Sequence, residues 1–260
     1  MEDKVQPKVE EICYKRNFLT EVIVRVDFLN PLHEIEKQLP KKVTQEAGKH
    51  FPISEPKTSF AKEFQLSPAG VKETFSKQMQ EWHFHGMNRD KTLTITPESI
   101  FITHKNYTSF ETLQTEFTNV FSKLLDASKE IQARRLGLRY INNIRLKDGD
   151  PLDWGTYINP NLLQTINFPK NKKTITRAFN VLELNYKEFI LRFQFGLHNP
   201  DFPAPIKQKV FVMDFDAYYD GVQEYEEILK NLNKFHSEIQ DMFEMSITDN
   251  LRKIMDEKTE

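Results

Sequence analysis

A chain of 260 residues, 38% hydrophobic and 28% charged, sits in the globular range and can bury one sizeable core. Its 36 basic and 38 acidic residues nearly cancel, which argues against a broad basic face for duplex nucleic acid. The single cysteine, Cys13, excludes an intrachain disulfide and a cysteine-clustered metal site, and no apolar run approaches the roughly 20 residues of a membrane helix.

Met1 to Val9 is charged and proline-containing, unlike a signal peptide, so the cytoplasm is the expected compartment. Leu19 to Phe28 then alternates Val22, Val24, Val26 and Phe28 with Glu21, Arg25 and Asp27, the period of a half-buried strand. Leu32 to Leu39 is a short helix candidate ended by Pro40. Lys41 to Pro56, with Gly48, Pro52 and Pro56, reads as a loop. Phe60, Phe64 and Leu66 suggest a strand to Ser67. Glu81 to His85, Thr92 to Thr96 and Ser99 to His104 then form an antiparallel meander. Thr108-Ser-Phe-Glu111 spells a capping box, and Phe110, Leu113, Phe117, Val120, Phe121, Leu124 and Leu125 form the apolar stripe of a long helix.

Ile131 to Leu146 alternates Leu136, Leu138, Tyr140 and Ile144 with Arg135, Arg139 and Arg145, a long strand. Asp148-Gly-Asp-Pro151 is an emphatic turn and marks sub-lobes 1–147 and 148–260, although no linker-like composition divides what reads as one folding unit over 1–260. Thr174 to Tyr186 and Phe189 to Leu197 read as a hairpin, Asn199 to Pro205 as an irregular loop, and Val210 to Asp216 as a strand. From Val222 a second amphipathic helix carries Tyr225, Ile228, Leu229, Leu232, Phe235, Ile239, Met242 and Phe243, with His236 inside its stripe. Ser246 to Asp249 opens a last short helix to Met255. The order implies an α+β fold, antiparallel sheets with two long amphipathic helices, and suggests two related halves. With 21 Phe against 8 Tyr and 2 Trp, the core should be aromatic.

Trp82 to Phe84, Tyr107-Thr-Ser-Phe110, Arg135-Leu-Gly-Leu-Arg-Tyr-Ile-Asn-Asn-Ile144, Asp214-Phe-Asp216 and Phe243-Glu-Met-Ser-Ile-Thr-Asp249 occur in this order along the chain. Together they resemble a sporadically distributed prokaryotic family of conserved hypothetical proteins, over about Tyr14 to Met255. The resemblance implies a single-family architecture and no assigned activity. The family's patchy occurrence is similar to that of genes on defence-associated islands.

Candidate chemistry is sparse. Arg135, Arg139 and Arg145 share a strand face with Gly137, an arrangement suited to a phosphate or carboxylate, or to ion pairs with Asp214, Asp216 or Glu183. Asp214 and Asp216 share a face at a spacing that can bridge Mg²⁺. They can equally pair with neighbouring arginines. His83 and His85 could share a metal with His104 as the tempting third ligand, or simply face solvent while Trp82 and Phe84 face the core. Asn142, on the apolar face with Tyr140, is a buried amide in need of partners, and His236 a core or interface histidine. No G-x-S-x-G elbow, cysteine–histidine signature or glycine-rich phosphate loop is present, so no catalytic residue, cofactor or stoichiometric metal is expected.

These readings favour a non-enzymatic binding or assembly protein with a protein partner, in a defence or toxin–antitoxin-like setting. Nucleotide or nucleic-acid binding and homo-oligomerisation are the other partner classes left open. Two alternatives stand beside it: an enzyme on a phosphate-bearing substrate using Asp214/Asp216 and the arginine clamp, and a small-molecule carrier with a cavity under the last long helix.

Overall fold

A computed structural model describes residues 12, 14–67, 70–128 and 131–256, with 60–79 described by backbone alone. Strands β1 (Leu19–Phe28), β2 (Ile53–Ser54), β3 (Lys57–Ser67), β4 (Gly70–His85), β5 (Lys91–Thr96), β6 (Ser99–His104), β7 (Ala133–Leu146), β8 (Ala178–Asn185), β9 (Ile190–Leu197) and β10 (Lys209–Gln223) form a ten-stranded antiparallel sheet. Its order is β2-β4-β5-β6-β1-β7-β10-β9-β8, and β3 pairs with the outer part of β4 as a long hairpin arm. The helices are α1 (Lys41–His50), α2 (Phe110–Ala127), α3 (Gln164–Asn167), α4 (Tyr225–Ser246) and α5 (Asp249–Asp256). Among the described residues no helix is long and apolar enough to cross a membrane.

The two halves share a topology. In the first, β1 is followed by a long excursion, the β4-β5-β6 meander returns so that β6 pairs with β1, and α2 follows. In the second, β7 leads to an excursion, the β8-β9-β10 meander returns so that β10 pairs with β7, and α4 follows. The two first strands, β1 and β7, pair antiparallel at the centre, with Val24 opposite Leu138. The topological boundary therefore falls between α2 and β7, not at the Asp148–Pro151 turn. That turn is real, with Gly149 at φ +93°, but it only starts the second excursion.

Strand alternation sorts side chains onto two faces. Val22, Val24, Val26, Leu136, Leu138, Tyr140, Ile144, Phe193, Phe211, Met213 and Phe215 point to the face that α2 and α4 cover, and all are buried. Phe193 stacks on Phe215 with centroids 4.4 Å apart. The α2 stripe (Leu113, Phe117, Val120, Phe121 and Leu124) is fully buried, each side chain contributing about 1.5–3 kcal/mol of apolar transfer. The opposite sheet face carries the charged residues. At one end of it Gly196 is required by contact: at φ +151° its Cβ would lie 1.9 Å from the Ala178 carbonyl oxygen.

Several expectations are corrected. The segment read as a loop from Lys41 is helix α1, because Val43 and Ala47, four apart, bury one face and Pro40 opens the first turn. The Leu32–Leu39 helix is only a 3₁₀ turn at His33–Ile35. The first long helix is capped by Ser109, whose Oγ accepts from the Thr112 N–H (3.2 Å), one residue past the Thr108 box. The strand expected at Val210–Asp216 runs on to Gln223, so Val222 lies in β10. Helix α4 starts at Tyr225 with a Glu224/Glu227 capping box.

Candidate functional site

On the open face the charged row is knitted together. Asp216 is directly opposite Arg139, while Asp214 lies diagonal to it. Arg139 Nε and Nη2 donate to Asp214 Oδ1 and Oδ2 at 2.8 and 2.5 Å, a bidentate pair. Arg135 Nη1 donates to both oxygens of Asp220 (2.9 and 3.2 Å), and its guanidinium lies 4.2 Å from the centre of the Tyr218 ring. Arg192 pairs with Glu183 in the next strands (2.7 Å). Arg145, at the end of the row, is exposed and has no ion pair among the described residues. Burial pushes the Asp216 carboxyl above its ordinary value, and the attraction of Arg135, Arg139 and Arg192 only partly offsets this. Gly137 sits in no crowded contact: the nearest atom to a Cβ there would be the Ala217 carbonyl oxygen at 4.0 Å.

His83 and His85 also share the open face, rings stacked at 6.5 Å, with Trp82 and Phe84 turned to the core side. His83 contacts Glu81 Oε2 (2.9 Å) and Thr94 Oγ1 (3.2 Å); His85 Nδ1 contacts Thr92 Oγ1 (3.1 Å). His85 Nε2 faces Glu55 at 3.4 Å, close enough for charge attraction but outside hydrogen-bond geometry. His104 is not a third member. It points to the opposite face, because residues 100, 102 and 104 of β6 alternate inward. There it is buried, 2.8 Å from Glu116 Oε2, and Lys91 Nζ donates to the other oxygen at 2.5 Å. Burial alone would raise the Glu116 carboxyl, but the hydrogen bonds from His104 and Lys91 outweigh it and hold it below the usual carboxylate range. Among the described residues no three His, Cys, Asp or Glu side chains converge as metal ligands. Cys13 lies outside the described residues.

A concave site lies on the helix side, at the seam between the halves. A half-open cleft, about 650 Å³ with the solvent space at its mouth included, has Leu19, Tyr140 and Asn142 as its floor. His236, Ile239, Gln240 and Phe243 of α4 form one wall and Tyr107 and Thr108 another, with Ile12, Tyr14, Asn17 and Met255 at the rim. A register shift between Leu19 and Glu21 loosens the β1·β7 pairing at this floor. Tyr107 Oη and Tyr140 Oη are 3.1 Å apart, and Tyr140 Oη is 3.1 Å from His236 Nδ1. The His236 ring stacks on Phe110 at 4.1 Å and 6°. Hydroxyl and imidazole are thus held in one fixed chain.

The rim's charge is already matched. Glu244 accepts from Tyr14 Oη (2.7 Å) and from Arg252 Nε (2.8 Å). Burial, then the hydrogen bond to Glu244, pushes the Tyr14 hydroxyl well above its ordinary value, so it stays a donor. Asn142 is different: it is 5% exposed, lies at the cleft floor, and its side-chain amide has no hydrogen bond to a described residue. The lining contains no thiol or serine, and its hydroxyl–base pairs are Tyr14 with Glu244 and Tyr140 with His236.

Asn142, Tyr140 and His236 were singled out from the sequence, though as core groups. Tyr14, Asn17, Gln240 and Glu244 were not, because the segment Ile12–Asn17 has no period and Gln240 and Glu244 look like solvated helix positions. Compared with known proteins, the chain matches no protein-family model and no curated sequence.

Proposed function

We propose that this chain is a non-enzymatic binding protein that holds an uncharged organic ligand in the seam cleft. The observation that carries this reading is the Asn142 amide, which lines the cleft with no hydrogen bond to a described residue and is reached from the open space of the cleft. A ligand presenting one acceptor and one donor would match it. The one charged lining residue, Glu244, is neutralised by Arg252, which argues against a phosphate or carboxylate ligand. The aromatic and aliphatic lining suits an apolar body. The segments Tyr107–Phe110 and Arg135–Ile144, which carried the family resemblance, meet here. Family membership, a cytoplasmic, defence-associated setting and a protein partner belong to the same proposal. An enzyme acting on phosphate is less well supported, since Arg135 and Arg139 already hold carboxylates on the opposite face.

The test is a melting-temperature screen in which neutral, amide-bearing aromatic compounds are set against nucleotides, oligonucleotides and polyphosphate. A compound at about 100 times its Kd should add about 2.7 kcal/mol of stability. Neutral compounds should raise Tm for the wild type and not for Asn142→Leu. A response confined to the anions would overturn the reading.

A further inference from the structure

The two ends of the sheet are finished differently. At the β4 end the next strand, β2, has only two residues, Ile53 and Ser54, set between Pro52 and Pro56. A short strand bracketed by prolines leaves little edge for another chain to pair with there, and the remaining length of β4 is covered by β3 of the hairpin arm. At the other end β8 is eight residues long and pairs with β9 without a register shift. It contains no proline and no lysine.

The hydrogen-bond phase shows which groups face outward. Tyr186 N–H donates to the Phe189 carbonyl (2.9 Å), closing the hairpin between β8 and β9. Bonded pairs recur every second residue in an antiparallel ladder, so Ala178, Asn180, Leu182 and Leu184 direct their backbone groups at β9. Phe179, Val181, Glu183 and Asn185 therefore present N–H and C=O groups at the free edge. The side chains beside them are apolar and uncovered: Phe179 is 45% exposed and Val181 61%, with Leu182 also exposed. Phe202, exposed as well, is held beside the start of the strand by the Arg177 guanidinium, 4.5 Å from its ring.

We propose that the free edge of β8 pairs antiparallel with the same edge of a second copy of this chain, joining two sheets across a twofold axis. The sequence is self-complementary in one register. With Asn180 on the axis, Phe179 faces the partner's Val181 and Arg177 faces the partner's Glu183, all on the open face of the sheet. Ala178 then meets the partner's Leu182 on the helix side, small against large. Apolar pairs flanked by opposite charges are what a self-pairing edge requires.

Sedimentation velocity on the purified full chain, from low to high micromolar concentration, tests this. The wild type should run at twice its 30.8 kDa chain mass. Val181→Pro removes one outward amide and no internal hydrogen bond, and should leave only monomer. Val181→Lys, which keeps the backbone intact, should do the same with an unchanged circular dichroism spectrum. Arg177→Glu should weaken the dimer about tenfold by setting like charges opposite each other. A wild type that stays monomeric throughout would overturn the proposal. So would a dimer indifferent to both Val181 variants, or one in which the edge binds only a foreign peptide.

Discussion

Strand β7 places Arg135 and Arg139 on one face and Asn142 on the other, and the two are completed differently. On the open face the arginines meet carboxylates of β10, while on the helix face, a few residues along, the Asn142 amide opens into a cleft with no hydrogen bond to a described residue. The helix face also holds the opposite extreme, Glu116, buried with two donors. The contrast teaches that polarity within a fold is not in itself a sign of function. A satisfied group maintains the structure, and an unsatisfied one is left for something else to complete.

The largest expected effect is at the fully satisfied buried site. Glu116→Ala strands Lys91 and His104 and should cost about 3–5 kcal/mol in urea unfolding. Because β1 and β7 join the halves, Trp82 in the first and Trp154 in the second should report the same lowered midpoint. The pH dependence has a definite sign. The folded-state value of Glu116 is depressed, so its contribution is complete above the unfolded carboxylate value of about 4.3 and is lost as pH falls through the lower folded value. Glu116→Ala should therefore flatten the acid limb of the stability curve, and an acid limb identical to the wild type's would contradict the assignment.

An intermediate effect is expected at Arg139. Its side chain is 41% exposed but Asp214 only 13%, so the pair falls between an exposed one, under about 1 kcal/mol, and a buried one at about 3–5. Arg139→Ala should lower stability by about 2 kcal/mol, with no loss of any anion response. Unchanged stability together with a lost polyphosphate response would turn the row back into an anion clamp.

The smallest effect is expected at Asn142. Asn142→Leu should leave stability within about 0.5 kcal/mol of the wild type, since the amide is bonded to no described residue and faces the open cleft. A fall in Tm instead would mean that Asn142 is bonded within the fold, and the two faces of β7 would then be alike.

The sequence by itself determined the faces. Period-two alternation in Leu19–Phe28 and Ala133–Leu146 separated Val24 and Leu138 from Arg25 and Arg139, and a strand's geometry allows no other sorting. The long helices were legible for the same reason, through stripes such as Leu113, Phe117 and Phe121. What alternation cannot specify is which strand lies beside which. Only the tertiary structure placed β1 against β7, set Asp214 diagonal to Arg139, and turned His104 from a supposed metal ligand into the partner of Glu116. Only it closed a cleft from residues as distant as Tyr14, Tyr107, Asn142 and His236. Helix α1 stayed hidden because two buried residues in ten carry too weak a period to outweigh a glycine and flanking prolines. Local pattern follows from the bonding of the chain to itself over a few residues, whereas a site is made where segments far apart in sequence are brought together, and that depends on how the whole core packs.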